Sequence, residues 1–413
     1  MGVFEEFEWR GMVSEATEGV REALAGGRVT AYIGFDPTAS SLHVGSLLTV
    51  MGLARLQRFG HTPIAIVGGG TGMIGDPSGK SQERNLLSSE QIDENVAGIR
   101  AQLERFLDFG TAPNAATIVN NADWLGTIDV LSFLRDVGKH FPVGYMLQKE
   151  SVSRRLGSDD GISYTEFSYL VLQAYDFLQL FDRYGCTLQM GGSDQWGNIT
   201  AGIELVRKVR GKKAHGLVWP LMKTASGTKF GKTETGTVWL DPERTSPFRF
   251  YQFWLNTDDR DVVNYLKVFT WLDRATIDAL EKTVADKPEA REAQRTLARE
   301  VTGMVHGAEA LAAAERETAA KFGGGDEDDI PAIVLPASGF AEGMLHTDFM
   351  VATGLATSKS EAARTIKQGG FYLNDERVTD ERGRVTLADV KNGRIKAQKG
   401  QRERIRVKLD PQG

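Results

Sequence analysis

Two stretches have residue types that point most directly to chemistry: His43-Val44-Gly45-Ser46 and Lys229-Phe230-Gly231-Lys232-Thr233. The first opens a segment in which Leu47, Leu48, Met51 and Leu56 recur at helical spacing. A helix start carries unpaired N–H groups and partial positive charge, so it suits a phosphate. Gly45 permits close approach to the backbone, and His43 can donate a hydrogen bond to a phosphate oxygen. A histidine before a helix is also an ordinary capping or surface residue, so the stretch alone leaves both readings open. The second stretch places two lysines on one glycine-containing loop, where both can reach a polyphosphate. A solvated basic turn is the alternative.

These groups need elements to hold them. An apolar run from Ala31 ends in Gly34-Phe35-Asp36, then a Pro37-Thr38 turn precedes the helix, with Ser40 or Ser41 expected as N-cap and Gly60 as its stop. Residues 63–67 read as a second buried strand closed by glycines 68–70, which completes a βαβ unit. Residues before about Thr30 read as one or two helices outside the sheet. The glycine-rich loop 68–75 leads into Asp76 and Lys80, but its lysine spacing is not that of a Walker A loop. Residues 88–107 and 165–181 read as amphipathic helices. On the second, Tyr169, Gln173 and Asp176 share one face, either as an outward polar stripe or as the wall of a polar pocket. Residues 188–190 read as a strand followed by Gly191-Gly192-Ser193-Asp194-Gln195, the kind of strand end where parallel sheets place ligands.

With 413 residues the chain suits two or three domains, and 41% apolar with 25% charged residues allows a large core. The net charge of −6 does not by itself suggest a nucleic-acid binder. One cysteine, Cys186, excludes an internal disulfide framework and fits a reducing, cytoplasmic setting. The N-terminal segment lacks the basic region and apolar core of a signal peptide, and no stretch approaches transmembrane length. Residues 322–329 run from glycines into an acidic cluster that reads as linker. Beyond it the charge becomes basic, and residues 391–408 alternate basic and apolar side chains as strands with one basic face would.

Taken together, the HVGS and KFGKT stretches resemble the paired signatures of class I aminoacyl-tRNA synthetases. YIGFDPTASSLHVGS, GDPSGK, NNADW, ISYTEFSYLVLQAYDF, GGSDQWGN and KFGKT, in that order, resemble the bacterial-type tyrosyl-tRNA synthetase family over nearly the whole chain. Residues 358–375 are similar to an S4 RNA-binding fold. The resemblance implies an α/β chain: a Rossmann-like, doubly wound parallel-sheet catalytic domain over 1–245, with a connective insertion at about 124–160. An α-helical, anticodon-binding domain over 246–321 follows, then a linker over 322–344 and a small α+β S4-like domain over 345–413. In the family the insertion forms a homodimer interface; packing into the core is the alternative for its apolar residues.

The activity implied is ATP-dependent joining of L-tyrosine to tRNA-Tyr, with Mg²⁺ accompanying ATP and held mainly by phosphates rather than by a protein metal site. The substrate supplies its own nucleophile, so the chain must offer positioning and positive charge. By resemblance Thr38, His43, Lys229, Lys232 and Thr233 act on the phosphates, with Lys80 and Arg84 assisting. Tyr32 and Asp176 bind the phenol hydroxyl. Tyr169, Gln173 and Asp76 hold the ammonium, with Asp36 and Gln195 nearby. Gly34, Gly45, Ser46, Gly191, Gly192, Asp194, Phe230 and Gly231 complete the ATP side. Asn121 and Trp124 form a supporting set, and Lys359, Arg364 and Lys367 face RNA. Ser46 replaces the second signature histidine, and Ile33 is apolar where some relatives carry a small thiol. A chain that only binds structured RNA, or a synthetase for another aromatic amino acid, are the competing readings. Tyr32 with Asp176 favours a phenol over an indole.

Overall fold

The computed structural model describes residues 2–76, 88–157, 161–225, 227, 230–233, 236–322, 332–340, 343–391, 393–400 and 403–410, with backbone only for Ser89, Ser151, Lys232, Thr233 and Phe322. Residues 1–246 and 253–305 form one compact unit, and 247–252 with 306–413 form another.

The first unit starts with helix α1 (Val3–Trp9), strand β1 (Glu15–Ala16) and helix α2 (Val20–Ala25). The expected βαβ unit follows as β2 (Thr30–Phe35), α3 (Val44–Arg58) and β3 (Thr62–Val67). Next come α4 (Ser89–Leu103), β4 (Thr117–Asn120) and α5 (Ala122–Leu125). The short helices α6 (Val130–Ser132), α7 (Val143–Leu147) and α8 (Glu150–Leu156) lead to α9 (Tyr164–Tyr184), β5 (Cys186–Gly192), α10 (Trp196–Arg210) and β6 (His215–Trp219). The six strands lie in the order β1-β6-β5-β2-β3-β4. All neighbours are parallel except the edge pair β1–β6. β1 was not legible because its two residues are exposed and carry no apolar pattern.

β2 and β3 are buried almost throughout, as strands covered on both faces must be. The chain leaves β2 through α3 toward β3 on one side, while β5 passes through α10 to β6 on the other. The carboxyl ends of β2 and β5 therefore flank the point where the winding reverses, the usual place for a ligand crevice. α9 packs on α10 and on the sheet through Leu170, Ala174 and Phe177, which join Tyr32, Ile64 and Leu205 in one core. Ser163 caps α9 by accepting from the Glu166 N–H, and Gly185 ends it at φ +62°, a left-handed conformation that glycine adopts without a steric cost.

After β6 comes a small hairpin, β7 (Lys232–Thr233) and β8 (Gly236–Thr237), then helices α11 (Pro247–Leu255), α12 (Asp259–Phe269), α13 (Arg274–Asp286), α14 (Glu292–His306) and α15 (Ala308–Phe322). The boundary expected at 245/246 lies one residue from the end of the first unit's first segment at Ser246, but residues 253–305 of the expected helical domain also belong to the first unit, where Phe253, Trp254 and Tyr265 pack on Phe230.

In the second unit a five-stranded sheet runs β12 (Glu376–Val378), β11 (Phe371–Leu373), β14 (Ile395–Lys399), β15 (Glu403–Asp410), β9 (Ala332–Pro336). The acidic run 323–329 of the expected linker lies outside the described residues, but 332–336 form a strand parallel to β15. Helices α16 (His346–Ala352) and α17 (Lys359–Lys367) cover the sheet, with Phe349, Ile366, Phe371, Ile395 and Val407 in its core. The expected alternation holds in β14 and β15: Ile395 and Val407 are buried opposite one another, while Arg404 and Arg406 remain partly exposed and Lys408 exposed.

Candidate active site

A cavity of about 550 Å³ opens at the carboxyl ends of β2 and β5, within the first unit. β2 contributes Tyr32, Gly34 and, just past its end, Asp36; α9 contributes Tyr169, Gln173 and Asp176. The face shared by these three α9 residues is thus a pocket wall and not a solvated stripe.

One pole of the cavity is a buried carboxylate. Asp176 accepts from Asn121 Nδ2 at 2.9 Å and from Trp124 Nε1 at 2.7 Å. Burial raises its pKa from 3.8 to about 7, against the lowering effect of those two hydrogen bonds. Beside it, the Tyr32 hydroxyl is buried and finds no hydrogen-bond partner among the described residues. Its ring is fixed edge-on to Phe177 at 5.2 Å. Burial, and secondly the charge of Asp176, hold the Tyr32 hydroxyl well above its usual pKa. A carboxylate and an unpartnered hydroxyl at the apolar end of a pocket suit a ligand that brings a hydroxyl of its own.

Asn121 links this pole to the glycine-rich loop. Its Oδ1 accepts from the Gly70 N–H at 2.8 Å, while its Nδ2 also donates to Thr71 Oγ1 at 2.9 Å. Further along α9, Tyr169 donates to Asp36 Oδ1 at 3.3 Å, and Gln173 Nε2 donates to Gln195 Oε1 at 3.2 Å. Gln195 Nε2 donates to Asp76 Oδ2 at 2.8 Å. Asp36, Asp76 and the two glutamines present an acceptor-rich patch that suits a cationic group.

The start of α3 also lines the cavity, and there His43 is the N-cap residue rather than Ser40 or Ser41. The chain stays extended past the serines because the Leu42 N–H donates to Gln102 Oε1 and the Leu42 carbonyl accepts from the Leu240 N–H. Ser41 is occupied elsewhere, donating to the Leu42 carbonyl at 2.7 Å. A Cβ at Gly45 would come within 2.8 Å of the His43 ring, so the glycine makes room for the imidazole. Thr38, His43, Gly45 and Ser46 all line the cavity here. Gly191, Gly192 and Asp194 line it at the end of β5.

The second chemical stretch arrives at the same place. The Val238 N–H donates to the Gly231 carbonyl at 3.1 Å, and the Val44 N–H donates to the Val238 carbonyl at 3.0 Å. Gly231 sits at φ +81°, and a Cβ there would come within 2.8 Å of Val44 Cγ2. Two segments nearly two hundred residues apart in the sequence are thus joined through backbone at one helix start.

Comparison with known proteins fits this geometry. The family model for tRNA synthetases class I (W and Y) matches residues 24–323, and the S4 domain model matches residues 348–391. The chain is 55% identical over 420 residues to a tyrosine–tRNA ligase of Roseiflexus castenholzii, covering 98% of this chain and 99% of that one. The chain belongs to the tyrosyl-tRNA synthetase family. A Geobacillus stearothermophilus tyrosine–tRNA ligase is 51% identical over 407 residues, covering 96% of each. Among solved structures, a C-terminally truncated mitochondrial tyrosyl-tRNA synthetase of Aspergillus nidulans superposes with TM-score 0.69 at 31% identity, covering 76% of this chain and 92% of that one.

Not every expected synthetase residue falls within the described structure. Lys80, Arg84 and Lys229 lie outside the described residues, and Lys232 and Thr233 are described by backbone alone. The Phe230 ring is buried among aromatic side chains of α11 and α12. Three contributors escaped the sequence reading. Gln189 of β5 lines the cavity with a buried Oε1 that has no hydrogen-bond partner among the described residues, and Asn198 donates to Gln173 Oε1 at 2.9 Å. Arg155 and Glu166 form a buried ion pair at 2.8 Å that ties α8 to the first turn of α9. Gln189 interrupts an apolar strand, which is a usable signal. The other two have no local pattern.

In the second unit Lys359, Arg364 and Lys367 are all exposed on α17. Lys359 pairs with Asp348 at 2.6 Å and Lys367 with Glu381 at 3.2 Å.

Proposed function

We infer that the chain activates L-tyrosine with ATP and transfers tyrosine to the 3′ end of tRNA-Tyr, releasing pyrophosphate and then AMP. The observation that carries this reading is one cavity lined both by a hydrogen-bonded carboxylate and by a histidine-bearing helix start. The phenol hydroxyl donates to Asp176 and meets the Tyr32 hydroxyl. Asp76, Tyr169 and Gln173 receive the ammonium, with Asp36 and Gln195 holding that network in place. The substrate carboxylate oxygen then attacks the α-phosphorus, and the bond to pyrophosphate breaks. Thr38 and His43 donate to the departing phosphates, the α3 N-terminus adds its partial charge, and the lysines of the KFGKT loop supply the rest. Lys80 and Arg84 assist the same step. Gly34, Gly191, Gly192 and Asp194 line the ribose side of ATP. Mg²⁺ travels with ATP and is held mainly by phosphate oxygens rather than by a protein cage. Aminoacylation of tRNA-Tyr by the full chain, dependent on tyrosine and ATP, tests the reading directly.

Two partner assignments follow. Val130, Leu131 and Val143 are 70%, 76% and 59% exposed, an apolar face that a second copy of the chain covers in a homodimer. Leu131→Glu is expected to convert the dimer to monomer in sedimentation, and an unchanged mass would contradict this. The S4-like unit grips tRNA through Lys359, Arg364 and Lys367. Reversing the three charges is expected to weaken tRNA charging by roughly 10-fold or more while leaving adenylate formation intact. Charging at the native rate would remove RNA binding from this face. Among the described residues no helix is long and apolar enough to cross a membrane, and a cytoplasmic site of action fits the single buried cysteine.

A further inference from the structure

The lysine loop is held from two directions, and one of them has no role yet. Phe230, between Lys229 and Gly231 in the sequence, seats its ring in an aromatic box. Its centroid lies 4.9 Å from Tyr265 and 5.3 Å from Phe269, the latter nearly parallel at 13°. Phe253 and Trp254 of α11 close the box at 5.8 Å each. Phe230 is only 4% exposed and Phe269 is fully buried. The residue after the ring, Gly231, is the one pressed against Val44 and bonded to Val238.

A third contact closes the figure. α3 begins at His43 and carries Arg55 in its last turn, 1% exposed. Arg55 Nη2 donates to the Thr270 carbonyl at 2.7 Å and the Lys267 carbonyl at 3.2 Å, at the end of α12. Arg10 donates to the Lys267 and Leu272 carbonyls at 2.5 and 2.9 Å. The N-terminal end of α3 holds the loop, its C-terminal end holds α12, and α12 holds the loop through Phe230. Packed aromatic contacts of this kind are stiff, so the position of the loop backbone follows that of α12.

We propose that Phe230 is a positioning residue: by docking in the α11–α12 aromatic box it fixes where the Gly231 backbone meets the start of α3. The proposal rests on the reading of this cavity as a tyrosine-activating site. A buried phenylalanine that merely fills space would affect stability and tyrosine binding together. A positioning residue instead lowers the rate of adenylate formation, because misplacement of groups on the phosphates is felt in the transition state and not at the tyrosine end.

The test uses the full chain with Phe230→Leu, Phe269→Leu and the double variant, measuring single-turnover adenylate formation and, separately, tyrosine Kd by equilibrium dialysis. Each single change is expected to slow adenylate formation by roughly 10- to 100-fold, with tyrosine Kd within about twofold of native. The double variant should lose less than the product of the two, since both break the same contact. Phe230→Tyr, which keeps the aromatic ring, should recover most of the rate, and Phe269→Leu carries the test if Phe230→Leu does not fold. A native rate in Phe230→Leu, a parallel loss of tyrosine affinity, or losses that simply multiply would overturn the proposal. If the unaltered chain forms no adenylate at all, the assigned function fails instead.

Discussion

Asp176→Asn is expected to weaken tyrosine binding by roughly 10- to 150-fold, the loss of one hydrogen bond to a charged group at about 1.5–3 kcal/mol. Both carboxylate oxygens of Asp176 are acceptors here, one for Trp124 Nε1 and one for Asn121 Nδ2. An amide offers one acceptor and one donor, so one of those N–H groups would face another. The substrate hydroxyl would also lose its charged acceptor. Equilibrium dialysis of tyrosine and phenylalanine checks this: the variant should lose its preference between them. A preference kept at the native level would contradict the role given to Asp176.

The same residue predicts a pH dependence. In the ligand-free chain burial raises the Asp176 pKa from 3.8 to about 7. Between those values the folded chain keeps a proton that the unfolded chain has lost, so this group's contribution to stability falls as pH rises through that window. A bound phenol donates to the ionised carboxylate and favours that form. Tyrosine should therefore bind more tightly as pH rises from about 6 to about 8, with proton release on binding at the lower end. The Asn variant should show no such trend.

Lys232→Ala is expected to slow adenylate formation by roughly 100- to 1000-fold, as loss of one donor to developing charge does, with tyrosine Kd changed by less than about twofold. The loop that carries Lys232 meets the α3 start through Gly231 and Val238, whereas Asp176 belongs to α9. In the proposed reaction this lysine serves the phosphates, whose charge changes on the way to the transition state, and has no part in holding the phenol. Stopped-flow adenylate formation beside dialysis separates the two effects. Equal losses in both would contradict a transition-state role.

Much of this arrangement was legible because it is written in local patterns. The βαβ unit announces itself through two apolar runs and the helical spacing of Leu47, Leu48, Met51 and Leu56, all of which are buried. The face of Tyr169, Gln173 and Asp176 follows from helical period alone, although only the fold decides that it looks into a cavity. What escaped depends on contacts between distant segments. The α3 cap moved to His43 because Leu42 is held extended by Gln102 and Leu240, more than fifty residues away. β9 was taken as linker because a short strand at a sheet edge has no pattern of its own until β15 pairs with it. The burial of Phe230 was hidden because its partners come from two later helices. Motif order carried the family assignment across these gaps.

Exchange of labelled pyrophosphate into ATP, measured on the full chain with tyrosine, phenylalanine and tryptophan in turn, is the most direct test of a phenol-selective activating site. Rapid exchange with tyrosine and little with the other two is the expected result. No exchange with tyrosine in folded protein, or equal exchange with phenylalanine, would contradict it.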